Sequence, residues 1–102
     1  MCSILFTTKN TDKFNDDVNF YLKFRGPDHT EVLKHNDHLF VHNLLSITGT
    51  FTPQPFKDED IVLIYNGEIY NYKDFGDYET DGECLIPLYR KYGSDFTKHL
   101  DG

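Results

Sequence analysis

The sequence predicts an α+β fold built from short strands and two helices in one small domain, residues 1–102. Short runs of β-branched and aromatic residues predict the strands, and two segments with apolar residues at helical spacing predict the helices. Turn residues separate these segments and give the element order β, α, β, β, β, α. This order is typical of layered α+β proteins.

A strand and then a helix are predicted at the start of the chain. The run SILFTT, residues 3–8, predicts the strand. The next segment predicts a helix with Thr11 as its N-cap, because four apolar residues recur at helical spacing: Phe14, Val18, Tyr21 and Leu22. The motif RGPD, residues 25–28, ends this helix, since glycine and proline both disfavour its continuation.

A hairpin and a further strand are predicted in the middle of the chain. TEVLK and HLFVH flank His35-Asn36-Asp37 and predict two paired strands. The segment TGTFTPQPFKDED, residues 48–60, is rich in turn residues and predicts a loop. IVLIY, residues 61–65, predicts another strand, which ends at Asn66-Gly67.

The second helix is predicted after Thr80-Asp81-Gly82-Glu83, which matches the capping-box pattern. Four residues form its apolar face, Leu85, Leu88, Tyr89 and Tyr92, and Gly93 ends it. Pro87 should bend this helix unless it falls in the first turn, because proline has no N–H to donate.

Composition and charge limit the classes of partner. The net charge of −7 argues against nucleic acid and anionic membranes, which require clustered Lys and Arg. No apolar run approaches the roughly 18 residues of a membrane span, and the N-terminus has no basic segment typical of a secretory signal. Two cysteines are too few for a disulfide scaffold, so we expect a cytoplasmic protein.

The spacing of three histidines suggests a metal site, and the strand geometry argues against it. His35, His38 and His42 form the pattern H-x2-H-x3-H. On a strand, His38 and His42 share a face but lie roughly 13 Å apart, at about 3.3 Å per residue. One zinc ion cannot bind both, and no pair of cysteines lies near. We expect no metal site and no cofactor.

Cys2 permits three interpretations. It can be a small buried hydrophobic residue at the start of a strand, or one half of a redox pair with Cys84, although no C-x-x-C motif is present. It can also be a nucleophile, because removal of Met1 would leave a cysteine with a free α-amine. The pKa of such an amine is about 7.7–8.0, which suits a general base for the neighbouring thiol.

Asn66-Gly67 also permits two interpretations. An Asn-Gly pair between two strands is a strong signal for a type I′ hairpin turn. The segment after it, residues 68–72, is an unconvincing return strand, since it continues directly into KDFGD. Alternatively, the Asn66 side-chain amide and the Gly67 backbone N–H stabilise an oxyanion formed by attack on an amide.

Several motifs occur in an order that resembles one family: MCSI, RGPD, H-x-x-L-S-I, Q-P, NGEIYN and T-D-G-E. The chain resembles the N-terminal glutaminase domain of glutamine-hydrolysing asparagine synthetases, which are class II glutamine amidotransferases of the N-terminal-nucleophile hydrolase superfamily. The resemblance implies a partial αββα sandwich, with a mainly antiparallel sheet and helices on one face. It favours the nucleophile and oxyanion interpretations.

The resemblance also implies the mechanism and the substrate, glutamine. Cys2 attacks the side-chain amide, its α-amine transfers the proton, and Asn66 and Gly67 stabilise the oxyanion. A synthetase domain or protein would accept the ammonia. Five further residues match substrate-pocket positions of the family: Ile47 and Thr48 through their backbone, Glu68, Asp81 for the α-ammonium group, and Arg25 through a role in ordering the loop over the site.

Two departures from the family pattern lead to further expectations. Leu44 stands where the resemblance implies an arginine that pairs with the substrate carboxylate, so another cation, such as Arg25 or Lys57, must serve or the substrate is bound differently. The sequence also ends at Gly102, before the second half expected of the domain. We therefore expect an incomplete domain whose exposed sheet favours a homodimer. The alternative function is a binding or assembly module with impaired turnover.

Overall fold

The computed structural model describes residues 2–8, 12–47 and 50–102. Thr11 and Thr48, for which we predict a helix cap and a pocket position, lie outside the described residues. The chain divides into two compact units, Met1–Asn66 and Gly67–Gly102. The described residues contain antiparallel sheets and two α-helices, so the predicted α+β class is confirmed.

The first unit is organised around a three-stranded antiparallel sheet. It contains β1 (Ser3–Thr7), α1 (Asp12–Leu22), β2 (His29–His35) and β3 (His38–Leu44). The strand order is β1-β3-β2, so β3 is the central strand. The predicted hairpin is confirmed. Its two turn residues, Asn36 and Asp37, have φ of 49° and 62°, a conformation that Asn and Asp tolerate better than other non-glycine residues.

A second sheet in this unit corrects the predicted loop at residues 48–60. β4 (Phe56–Asp58) pairs with β5 (Ile61–Leu63), and Glu59 has a φ of 53° in the turn between them. The loop prediction is therefore wrong for Phe56–Asp58. The turn signals in this segment are real, but Phe56–Asp58 becomes a strand because β5 offers it a hydrogen-bonding partner.

The buried face of α1 also differs from the apolar face that the spacing predicts. Phe14 and Tyr21 are 49% and 72% exposed, whereas Asn15 and Asn19 are buried. Asn19 lies on the buried side because the sheet presents a polar partner there, the side chain of Asn43. Hydrogen bonding removes most of the cost of burying an amide, so the polar face can turn inward.

His42 lies on β3 with a side chain that is only 1% exposed. Among the described residues, neither ring nitrogen has a hydrogen-bond partner of normal geometry. Burial lowers the pKa of His42 below its usual value; the backbone of Tyr65 opposes this shift and the charge of His29 adds to it. The imidazole is therefore held in its neutral form.

This burial predicts a pH dependence of stability. Because the pKa of His42 is lowered in the folded state, the unfolded chain binds more protons below its ordinary pKa of about 6.5. The free energy of unfolding should therefore fall as pH drops below about 6.5, by at most about 1.4 kcal/mol per pH unit from this group. Urea unfolding at a series of pH values below about 6.5 measures this dependence. The free energy of unfolding should change less with pH in His42→Gln than in the wild type. An unchanged dependence would contradict this origin.

The second unit is helical. Two 3₁₀ helices, Tyr72–Asp74 and Asp81–Cys84, precede α2 (Leu85–Tyr92), and a third, Gly93–His99, follows it. Residues 64–102 are all described and contain no strand, which confirms that residues 68–72 do not return as a hairpin. Pro87 falls in the first turn of α2, where a missing N–H costs nothing.

The apolar core of the second unit forms around α2. Its buried members are Ile69, Cys84, Leu85, Ile86 and Leu88. Thr80 caps the 3₁₀ helix Asp81–Cys84, which leads into α2, and the Glu83 carboxylate accepts the Thr80 N–H at 3.1 Å, which is one half of the predicted capping box. Within the described ranges, no helix combines the length and apolar character needed to cross a bilayer.

Candidate active site

Cys2 lies immediately before β1, and its side chain is half-buried. The Leu45 N–H donates a hydrogen bond to the Cys2 Sγ at 3.3 Å, and the Leu45 carbonyl oxygen lies 3.7 Å from the same sulfur. Leu45 directly follows β3, which pairs with β1. The antiparallel pairing therefore brings the sulfur to the end of the central strand.

The RGPD motif lies against the same strand end. Gly26 is buried, and a Cβ at this position would collide with the carbonyl group of Asn43. The Asp28 N–H donates to the Leu44 carbonyl at 2.9 Å, and the Asp28 carboxylate accepts the Ser46 N–H at 2.8 Å. The structure thus fixes the RGPD corner to the HNLLSI segment that contacts Cys2.

Two predicted pocket residues, Ile47 and Arg25, are exposed, whereas Leu44 is buried. Ile47 is 70% exposed, and Arg25 is exposed in the turn after α1. Leu44 is only 8% exposed, so its side chain belongs to the core. Position 44 therefore supplies an apolar side chain to the interior and offers no cation to a substrate.

Asn66 follows β5 and is exposed. The backbone just before it is fixed by Gln54, whose Oε1 accepts the Tyr65 N–H at 2.7 Å. Gln54 is 8% exposed. Sequence reasoning includes Gln54 only as part of the Q-P motif and misses this role. A glutamine followed by proline in a turn-rich segment carries no signal for a distant backbone partner.

In the second unit, Asp81 binds the backbone near Glu68. One carboxylate oxygen accepts the Ile69 N–H at 2.8 Å, and the other accepts the Gly82 N–H at 2.9 Å. Both carboxylate oxygens are therefore held by backbone N–H groups. Glu68 itself is exposed.

The C-terminal LDG residues hold the NGEIYN segment from another side. The Tyr70 N–H donates to the Asp101 carbonyl at 2.7 Å. The Asn71 side chain donates to the His99 carbonyl and accepts the Asp101 N–H, each at 2.9 Å. A side chain at Gly102 would collide with the Glu68 carbonyl. Close backbone packing therefore requires glycine at this position.

The sequence also raises a metal site and a redox pair of Cys2 with Cys84. Among the described residues, no three His, Cys, Asp or Glu side chains are grouped so that they could hold a metal ion. Both cysteines are free thiols. The Cys84 thiol donates to the Asp81 carbonyl at 3.0 Å, and burial raises its pKa, with the Asp81 charge adding to the effect. Cys84 is therefore held as a neutral thiol in the core.

Comparisons with known proteins identify the family of the chain. The chain matches the glutamine amidotransferase domain family over residues 1–102. It is 37% identical to glutamine-hydrolysing asparagine synthetase 1 of Saccharomyces cerevisiae over 92 aligned residues, which covers 79% of this chain and 16% of that protein. The corresponding proteins of Asparagus officinalis and Zea mays are 37% and 35% identical, with the same coverage.

The chain thus spans about a sixth of the length of the curated relatives it matches. The family match nevertheless extends over all 102 residues, including those around Cys2, the RGPD corner and the NGEIYN segment. This chain belongs to the glutamine amidotransferase domain family.

Proposed function

We propose that this chain hydrolyses the side-chain amide of glutamine and supplies the ammonia to a synthetase domain or partner protein. One observation carries the proposal. The Cys2 sulfur is half-buried and hydrogen-bonded at the end of the central strand, beside the RGPD corner, in a chain that matches the amidotransferase family throughout. The relatives are named as glutamine-hydrolysing asparagine synthetases, which supports glutamine as the substrate.

The nucleophile in this proposal is Cys2 after removal of Met1. The sulfur attacks the amide carbon of glutamine, and the free α-amine takes the thiol proton and delivers it to the leaving nitrogen. Ammonia departs and a γ-glutamyl thioester remains on the sulfur. Water then attacks the thioester carbon, which releases glutamate and restores the thiol.

The oxyanion of each tetrahedral intermediate would be stabilised by the Asn66 side-chain amide and the Gly67 backbone N–H. Two observations support these roles. Asn66 is exposed and follows a backbone fixed by the buried Gln54. The residues after Gly67 are fixed by Asp81 through the Ile69 N–H. A fixed backbone is what preorganised oxyanion stabilisation requires.

Substrate contacts are proposed on the residues that match the family pocket. Asp81 would bind the α-ammonium group through its negative charge, with its carboxylate held in place by the Ile69 and Gly82 N–H groups. Glu68 would belong to the same pocket, and Ile47 and Thr48 would contribute backbone. Arg25 would order the loop over the site. Because Leu44 is buried, the substrate carboxylate requires another cation, such as Arg25 or Lys57.

We further propose that residues 1–102 are part of an αββα sandwich of the N-terminal-nucleophile hydrolase type, working in the cytoplasm. A homodimer of the isolated chain also stays a prediction. It would be tested by light scattering at high protein concentration, and a monomer there would count against it.

The proposal is tested by incubating the purified chain with glutamine and measuring glutamate and ammonia separately. We expect both products in equal amounts, with a rate proportional to protein concentration. Glutamate no higher than in a protein-free blank would contradict the proposal. Binding of glutamine without turnover would instead support a binding or assembly module, the second function, which the buried Leu44 favours.

A further inference from the structure

A buried network of polar side chains joins the three strands of the first sheet, β1, β2 and β3, to α1. Asn43 on β3 is 0% exposed. Its Nδ2 donates to the Ser3 hydroxyl on β1 at 3.1 Å and to the Asn19 Oδ1 on α1 at 2.8 Å. Its Oδ1 accepts the Thr30 hydroxyl of β2 at 2.8 Å. One amide therefore bonds to side chains of three other elements.

This network restricts the arrangement of the strands. Both amide hydrogens of Asn43 and its oxygen are used, and the Asn19 Nδ2 lies 3.5 Å from the same oxygen. A buried amide that loses a partner is left with an unsatisfied polar group in the interior, which is unfavourable. Only an arrangement that keeps all three partners in place avoids this cost, so the network specifies one register and one helix position.

The network reaches Cys2 by two short routes. Ser3, which is directly paired with Asn43 in the sheet, is the residue after Cys2. The Ser3 hydroxyl also donates to the Leu22 carbonyl at 2.8 Å, at the end of α1. Leu45, two residues after Asn43, donates its N–H to the Cys2 sulfur. Both attachments of Cys2, the chain to Ser3 and the bond from Leu45, are therefore fixed at Asn43.

We propose that Asn43 is a positioning residue for the Cys2 thiol, acting through Ser3 and Leu45; the claim that this serves catalysis rests on the proposed function. A nucleophile contributes fully only when it is held close to its attack geometry, and displacement by about 1 Å can cost about a hundredfold in rate. The Asn43 amide supplies this restraint from inside the layer. It contacts no substrate itself.

Two hydroxyl deletions provide a matched test. Ser3→Ala and Thr30→Val each remove one hydroxyl bonded to the Asn43 amide, but only Ser3 is next to Cys2. Amide hydrogen exchange of Leu45, measured by NMR, reports directly on the bond to the sulfur. Steady-state kinetics with glutamine report on catalysis. Asn43→Leu is a third variant, close in size, that removes the whole amide.

We expect Leu45 to exchange about tenfold faster in Ser3→Ala than in Thr30→Val, because exchange follows local opening. We expect kcat for glutamine to fall about tenfold in Ser3→Ala with KM changed less than about twofold, since orientation and not binding is lost. Thr30→Val should lose a similar free energy of unfolding but change Leu45 exchange and kcat less than Ser3→Ala does, because the Asn43 amide keeps its bonds to Ser3 and Asn19. Asn43→Leu should follow Ser3→Ala.

Leu45 exchange at the wild-type rate in Asn43→Leu, or equal exchange in Ser3→Ala and Thr30→Val, would overturn the proposal and leave the network a purely structural role. This outcome is distinct from failure of the proposed function. If the wild-type chain releases no glutamate, the glutaminase fails, and the exchange of Leu45 still decides whether Asn43 positions Cys2.

Discussion

Replacement of Cys2 by alanine is expected to lower glutamate release from glutamine by at least about a thousandfold, to the level of a protein-free blank. The variant loses the atom that forms the thioester, and no other group takes over its role. The other cysteine cannot replace Cys2, because Cys84 is completely buried and its thiol donates a hydrogen bond to the Asp81 carbonyl. Initial rates of glutamate formation at saturating glutamine provide the measurement.

The chain offers a matched control for this variant. Cys84→Ala makes the same substitution in the core of the second unit. It should lower the free energy of unfolding by about 1 kcal/mol, because one small buried group is lost. Its glutamate release should stay within about threefold of wild type, because the lost thiol takes no part in the reaction. Turnover that survives in Cys2→Ala, or is lost equally in Cys84→Ala, would contradict the assignment of the nucleophile.

Gly26→Ala is expected to destabilise the chain by about 3 kcal/mol, at the upper end for overpacking. The added Cβ would collide with the Asn43 carbonyl and lie 2.9 Å from the Leu44 nitrogen. These are backbone atoms of the central strand, so they cannot move aside without disturbing the sheet. In a domain of this size, the midpoint temperature should fall by more than about 10 °C.

Gly76→Ala is the control for this prediction. A Cβ at Gly76 would meet the ring of Tyr78 at 2.8 Å, which is a side chain that can turn away. We expect this variant to lose less than about 1 kcal/mol. Urea unfolding of both variants measures the difference. Equal losses would show that the close packing of the RGPD corner on β3 is not what requires glycine.

Local patterns predict most of the elements of this fold. The hairpin at His35-Asn36-Asp37 follows from two apolar runs around residues that tolerate positive φ. The failure of residues 68–72 to form a return strand follows from the polar segment after them. In each case the deciding interaction lies within a few residues of the signal.

The missed features depend on partners far away in the sequence. The inward face of α1 is polar because Asn19 meets Asn43, 24 residues later. Periodicity counts apolar residues and therefore selects the exposed face with Phe14 and Tyr21. The role of Gln54 depends on the Tyr65 N–H, and a pattern of residue types does not show which backbone group a side chain reaches.

Motifs predict the candidate site, and the structure supplies the physical reasons for some of these motifs. RGPD requires glycine because the corner packs on the Asn43 carbonyl, and its aspartate binds the Ser46 N–H. The aspartate of T-D-G-E fixes the segment after Gly67 through Ile69. These contacts explain why the motif residues have these types. Their catalytic roles rest on the reaction proposed for Cys2.

The most direct test of that reaction is the mass of the chain after treatment with a diazoketone analogue of glutamine. The thiol proton of Cys2 would transfer to the carbon that bears the diazo group, the sulfur would then attack this carbon and displace dinitrogen, and the chain would keep a stable thioether. We predict a single adduct on a chain that begins at Cys2, with excess glutamine slowing the labelling. An unlabelled chain, a label on Cys84, or a retained Met1 would contradict the account.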